Sequence, residues 1–421
     1  MAPGMFRTAL ILGLLCCVGP FSIDMYLPAM PAVGRTLGGT VTATQMTITA
    51  YFIAFGLAQI VYGPLADKYG RKPPLILGLV LFIAGSAGCV IAPDISTFIA
   101  FRFLQGLGGA AAMVIPRAII RDQYTGPAAT RLMAMVMLVI SVSPMLAPLA
   151  GSGVILLAGW RMIFVVLAIA GLASILVTMF LQPETLAPEH RVPIDMKNLW
   201  AGTKVLVSDP VFMGATFVGG FGFSSFLVFL ASASFVYTGY YGLSSVEFSL
   251  AFAANALGFF SASQFAGPLG ERIGMGTMIA RGVTGFLVMA VLLAALVGAG
   301  FDSLYLIIGC LFLANACLGL VIPTSMVVAL DDHGEIAGLA SSLGGMLQML
   351  VGGLMTAVVA PFFSVSPLPM VAAIALGIAV DDTIHFITHW RDKRNEGAMR
   401  DIISEGIQGS VALPQTPPYL P

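Results

Sequence analysis

Long apolar runs separated by short polar breaks fill the chain: 8–27, 43–62, 74–91, 95–115, 132–149 and 161–181, then 211–237, 248–265, 277–298, 303–326 and 336–361. A helix crosses the ~30 Å hydrocarbon core of a bilayer with about 20 predominantly apolar residues. Each run therefore reads as one span, and the pattern predicts an all-α membrane protein. The break at 182–209 is unlike the others. It carries Glu184, Glu189, His190, Arg191, Asp195, Lys197 and Lys204, and reads as a linker between an N-terminal six-helix bundle over 1–181 and a C-terminal bundle over 210–376. The twelfth helix is the weak point. From Leu368 only about 13 residues precede Asp381 and Asp382, so that helix is atypical or incomplete and 377–421 reads as an atypical tail.

Two stretches 204 residues apart share a pattern. Gly63, Pro64, Asp67, Lys68 and Gly70 are matched by Gly267, Pro268, Glu271, Arg272 and Gly274, and Val114-Ile115-Pro116 recurs as Val321-Ile322-Pro323. Two parallel halves are the arrangement in which a substrate binds near the membrane midplane and access alternates by rocking. The stretch 63–73 carries a net charge of plus two, which forbids burial in hydrocarbon, so it is expected as a short loop at a membrane face.

Charge then sets the orientation. Arg7, Lys68/Arg71/Lys72, Arg117/Arg121/Arg131, Arg191/Lys197/Lys204, Arg272 and Arg391/Lys393/Arg394 fall on one side, and Arg35 and Arg161 on the other. The excess of Lys and Arg places that side, the linker and both termini in the cytoplasm, which needs an even number of spans. The acidic loop Asp331-Asp332-His333-Gly334-Glu335 falls on the basic side, and the rule counts only Lys and Arg. The stretch from Arg7 to Val18 is not read as a signal peptide, since no small-residue cleavage site follows.

Composition narrows the function. Charged residues are 9% and hydrophobic residues 58% of the chain, far from a soluble domain, and a net charge of -1 offers no basic face to nucleic acid. The five cysteines, Cys16, Cys17, Cys89, Cys310 and Cys317, lie inside apolar runs and read as packing residues, not as a metal site. His190, His333, His385 and His389 do not form a catalytic set. The chain is expected to be a monomeric transporter and not an enzyme, with no cofactor.

Two ionisable residues fall inside predicted spans, Asp24 and Arg102. Each needs a partner or a wet cavity. With the first helix ending near Pro28–Pro31 and the fourth beginning near Ile95, both sit roughly 6–11 Å below the same surface. The pair is expected either to couple proton flow to substrate occupancy or to form a static structural bridge.

The stretch Gly63 to Pro73 resembles the loop between helices two and three of the major facilitator superfamily. The Arg102…Gln105-Gly106 segment resembles that family's helix-four motif, whose arginine is implicated in proton transfer. Ser143-Pro144-Met145-Leu146-Ala147-Pro148-Leu149-Ala150-Gly151-Ser152 resembles the helix-five motif of its drug exporters, with Ser143, Ala147 and Ser152 where that motif has glycine. Together with Asp24 to Pro28 and the acidic 330–334 loop, these resemble the bicyclomycin and chloramphenicol resistance branch of the drug:proton antiporters over residues ~5–376. The resemblance implies two six-helix bundles, a bacterial inner membrane, export of small drug-like molecules in exchange for protons, proton coupling through Asp24 and Arg102, a gating loop of Gly63, Asp67, Gly70, Arg71 and Lys72, and close packing against helix eight through Pro144, Pro148 and Gly151. Uptake by symport on the same fold stays open. The segment ~377–408, with Asp381, Asp382 and His385, resembles a fragment of a resistance-nodulation-division exporter, which leaves a non-functional chimera as a further reading.

Overall fold

The computed structural model describes residues 3–379 apart from 125, 194 and 364. It is helical along its length. In chain order come α1 (Pro3–Asp24), a 3-10 turn (Leu27–Ala29), α2 (Met30–Thr36), α3 (Val41–Tyr69), α4 (Lys72–Ile91), α5 (Ile95–Gln123), α6 (Gly126–Ala158) and α7 (Arg161–Phe180). After the polar break follow α8 (Met196–Ser208), α9 (Pro210–Phe235), α10 (Ser245–Ser263), α11 (Ala266–Ile273), α12 (Met275–Gly298), α13 (Leu304–Leu330), α14 (Ala337–Val359) and α15 (Pro367–Ala379). Among the described residues eleven spans are long and apolar enough to cross a membrane, and α15 is apolar but shorter. The chain is a multi-pass membrane protein. Expectations for 380–421, including Asp381, Asp382, His385 and the exporter-like fragment, lie outside the described residues.

Three expected boundaries are corrected. The first span does not stop at Pro28–Pro31. It turns at Leu27–Ala29 and continues as α2 to Thr36, because each proline occupies the opening of a new helical segment, where its missing N–H costs nothing. Asp24 is therefore 12 residues from Thr36, roughly 18 Å from that end at 1.5 Å per residue, and not 6–11 Å. Next, Gly63, Pro64 and Asp67 are not in a loop: α3 runs through them to Tyr69, and only Gly70 and Arg71 separate α3 from α4. The charges needed to leave the hydrocarbon, not the helix, and a helix of 29 residues is ~44 Å long and projects beyond a ~30 Å core. Finally, the polar break holds a helix, α8, capped where the Asp195 carboxylate accepts from the backbone N–H groups of Lys197 and Asn198.

Packing follows the spans. α5 lies between α3 and α4, α1 packs on α6, and α9 packs on α13 and α14. The two largest seams between the helices before the break and those after it are α3 on α14 and α6 on α10. The site lies between these two seams.

Candidate functional site

α1 breaks at Asp24 for a local reason. Pro28 has no N–H to give the Asp24 carbonyl, so the i→i-4 ladder stops and the chain tightens, with Tyr26 N–H donating to Ile23 O at 3.2 Å and Ala29 N–H to Tyr26 O at 2.9 Å. The break needs room beside it. Gly151 of α6 supplies that room: a Cβ there would stand 2.2 Å from the Met25 carbonyl oxygen, so only glycine lets α6 pass so close.

The Asp24 side chain faces a cavity of about 200 Å³ between the two halves. Phe52, Phe55, Pro144, Phe226, Phe259 and Met349 contribute to its walls, and Asp24 is the one ionisable residue among the described lining. Asp24 is 5% exposed and makes no hydrogen bond or ion pair among the described residues. It also stands at the negative end of α1, so a carboxylate there has neither a counter-charge nor a favourable dipole. Hydrogen bonds between the halves gather at the end of the cavity away from the basic loops. Ser234 Oγ donates to Leu27 O at 2.7 Å, Ser152 Oγ to Ser245 O at 2.7 Å, and Thr42 Oγ1 to Ala360 O at 3.1 Å.

Arg102 is fully buried and does not pair with Asp24. Its guanidinium donates from Nη1 to the Ser22 carbonyl at 3.2 Å and to Gln105 Oε1. Three rings enclose it, with centroids at 4.5 Å (Tyr51), 4.8 Å (Tyr26) and 5.8 Å (Phe164). Cation–π contacts in a desolvated site are worth ~2 kcal/mol or more, which offsets part of the cost of burying the charge. Nε and Nη2 have no hydrogen-bond partner among the described residues. The expected direct bridge is thus absent, and what joins the two residues is α1 itself, which Arg102 holds two residues before Asp24.

The second cluster lies at the basic face. Arg71 grips Asp122, at the end of α5, with a two-point fork: Nε to Oδ2 at 2.8 Å and Nη2 to Oδ1 at 2.9 Å. Its third arm, Nη1, reaches Asp67 at 2.5 Å. Burial would lower the Arg71 pKa, but the bonds to Asp122 and Asp67 reverse this and hold it above its ordinary value. Gly70 adopts φ +90°, and a Cβ there would meet Glu184 Oε2 at 2.7 Å, so the position requires glycine twice over. Gly274, its counterpart 204 residues on, has φ +84°. Gly63, by contrast, has open space around it.

Two acids that the sequence reading did not single out complete this cluster. Asp122 receives the fork and also the Thr185 hydroxyl at 2.8 Å. Glu184 accepts backbone N–H bonds from Arg71 (2.9 Å), Lys72 (3.0 Å), Thr185 (3.0 Å) and Leu186 (3.1 Å). Partial burial works to raise the Glu184 pKa, yet these four donors prevail and leave it below its ordinary value. Lys72 adds a bond from Nζ to Met179 O at 3.0 Å, and Val192 N–H one to Asp67 O at 3.1 Å. The start of the polar break is thus stapled over the α3–α4 turn.

With this geometry, comparison with known proteins is decisive. The Major Facilitator Superfamily profile matches residues 12–379. The chain belongs to the major facilitator superfamily. The bicyclomycin resistance protein homolog of Haemophilus influenzae is 27% identical over 397 residues, covering 93% of this chain and 98% of that one. The chloramphenicol resistance protein of Pseudomonas aeruginosa is 28% identical over 360 residues, covering 82% and 83%. The crystal structure of a D-xylose-proton symporter shares the fold with a TM-score of 0.71 at 14% identity, over 90% of this chain and 97% of that one. A major facilitator chain is a transporter and not an enzyme.

In this superfamily member the helix-five stretch divides its contacts. Gly151 meets the α1 break and Pro144 lines the cavity, while Ser152, where glycine was expected, bonds Ser245 O and Ser249 Oγ of α10 (helix eight). Pro148 lies in the interior of α6.

Proposed function

We propose that this chain exports small drug-like molecules in exchange for protons, with Asp24 as the acid that carries the proton and Arg102 as the cation that completes the coupling. The observation that carries this reading is the unpartnered Asp24 carboxyl in an apolar cavity between the halves. A charge inside a span costs at least ~2.5 kcal/mol on insertion scales. Protonation removes that charge and lets the halves close over an apolar occupant. Ionised Asp24 is drawn instead toward the free Nε and Nη2 of Arg102, across the short α1 segment that Arg102 already holds. A substrate that enters the cavity then competes with the proton for one site. The relatives named for bicyclomycin and chloramphenicol resistance support drug-like cargo and export over uptake.

In this reading the chain sits in a bacterial inner membrane as a monomer of two bundles, 1–181 and 210–376, with the basic face and 182–209 in the cytoplasm. Gly63, Asp67, Gly70, Arg71 and Lys72 bias the rocking equilibrium without touching cargo. The hydrogen bonds at the far end of the cavity then close the outer side in this conformation. The tail 377–421, which resembles part of an exporter of another family, is taken to stand outside the transport machinery, in keeping with a family match that ends at 379.

The test is survival of cells carrying the chain on an antibiotic panel that includes bicyclomycin and chloramphenicol, with and without the proton gradient. Export predicts gradient-dependent survival that Asp24→Asn removes while the protein stays in the membrane. Gradient-driven accumulation inside cells would establish uptake instead, and survival unchanged by Asp24→Asn would remove the acid from the mechanism.

A further inference from the structure

α12 carries an arginine that neither the central cavity nor the basic cluster uses. Arg281 lies six residues after Met275, so its Cα is ~9 Å along a span that starts at the basic face. It is exposed, and it makes no hydrogen bond, ion pair or ring contact among the described residues. On a helix, long side chains point back toward the N-terminus, and arginine carries its charged head to the interface while the stem stays apolar. The guanidinium of Arg281 is therefore delivered to headgroup level on the basic face.

Below it runs a groove of about 770 Å³. α13 packs against both α10 and α12, and the groove opens between these helices toward the outside of the bundle. Ala262 of α10 lines its upper part, Thr284 and Val288 of α12 its wall, and Leu313 and Cys317 of α13 its floor. Ala262 is next to the last residue of α10, whereas Leu313 is the tenth residue of α13 counted from the far side. The groove thus descends from the basic end toward mid-span, and Val288 is ~10 Å below Arg281. Arg281 is the one charged residue among its described lining. Thr284, three residues deeper than Arg281 on α12, is exposed and adds a hydroxyl to the groove.

A charged mouth over an apolar shaft is the shape of a single lipid. We propose that this groove holds one anionic phospholipid from the leaflet on the basic face, its phosphate on the Arg281 fork and one acyl chain along α12 as far as Val288. A guanidinium presents planar paired donors that fit a phosphate at two points, which an ammonium cannot do. An anionic lipid also supplies the counter-charge that the protein does not. A zwitterionic lipid brings its own cation, which competes with Arg281 for the same phosphate. The groove opens away from the Asp24 cavity, so the lipid occupies a site separate from the transported molecule.

The full chain, purified in detergent, is titrated with phosphatidylglycerol or phosphatidylcholine, and bound lipid is counted by native mass spectrometry. The wild-type chain is expected to take up one phosphatidylglycerol about tenfold more tightly than phosphatidylcholine. Arg281→Ala abolishes that preference. Arg281→Lys, which keeps the charge and loses the fork, retains part of it. Val288→Trp fills the lower groove at an exposed position, leaves Arg281 in place and weakens both lipids. Each variant is compared at equal monodispersity in size-exclusion chromatography. Equal binding of the two lipids by wild type, or phosphatidylglycerol binding that survives Arg281→Ala or Val288→Trp at full strength, overturns the proposal.

Discussion

Removing the Glu184 side chain should free the start of the polar break from the α3–α4 turn. Its carboxylate accepts the N–H groups of Arg71, Lys72, Thr185 and Leu186 at 2.9–3.1 Å. A hydrogen bond to a charged group contributes ~1.5–3 kcal/mol, but two of the four are local to residues 184–186, and this carboxylate is largely exposed to solvent that screens it. The net loss for Glu184→Ala is therefore about 1–1.4 kcal/mol, a fivefold to tenfold rise in local opening. Hydrogen–deuterium exchange of a peptide covering Arg71 and Lys72 reads that opening directly. Glu184→Gln keeps an acceptor without the charge and should give about half the effect in free energy. Because the folded pKa lies below the ordinary value of 4.5, the contribution is complete above that value and is lost as pH falls through the folded pKa. At neutral pH the variants should differ from wild type by a constant factor. Exchange at Arg71 and Lys72 identical in all three proteins would show that the staple does not hold the turn.

Gly151→Ala places a Cβ 2.2 Å from the Met25 carbonyl, so α6 and the α1 break must part by about 1 Å; overpacking of this kind costs ~1–3 kcal/mol, seen as a lower melting temperature in detergent with lost transport. Asp122→Asn leaves Arg71 its bond to Asp67 but weakens the fork, and should slow turnover more than it weakens substrate binding, compared by transport rate and equilibrium binding; an equal loss in both would contradict a conformational role. Arg102→Lys keeps the charge between Tyr26 and Tyr51 but not both bonds to Ser22 and Gln105, and should lower transport at least tenfold with near-normal expression.

How far the sequence led depends on the kind of signal. Spans were legible because a single segment crossing hydrocarbon satisfies its own backbone only as a long apolar helix, and the 204-residue echo placed Gly70 and Gly274 at matching left-handed turns. Proline misled twice. Pro28 and Pro31 read as an end but open new helical segments, and Pro64 read as a loop residue but lies inside α3. Proline marks a break in the ladder, and whether the chain resumes its course depends on packing that no local pattern contains. Depth arithmetic placed Asp24 and Arg102 in one layer by ending the first span too early, while the rings around Arg102, Tyr26, Tyr51 and Phe164, come from three distant stretches. Asp122 and Glu184 carry no local signal, since the partners that matter are the distant side chains of Arg71 and Thr185 for Asp122 and backbone N–H groups for Glu184. Arg281 was hidden by the apolar run around it. α8 had a readable cap in Asp195 and a face of Leu199, Gly202, Thr203 and Leu206, masked by the charges on its other side.

The central claim is that proton binding at Asp24 is exchanged for an apolar cargo molecule in the cavity. The most direct measurement is proton movement in proteoliposomes of the purified chain, read by an enclosed pH-sensitive dye when a transported drug is added on one side. The account expects drug-induced proton flux opposite to the drug in the wild-type chain and none with Asp24→Asn, which should still exchange labelled drug for unlabelled drug. Drug-driven proton flux that persists in Asp24→Asn, or flux in the same direction as the drug in wild type, would contradict it.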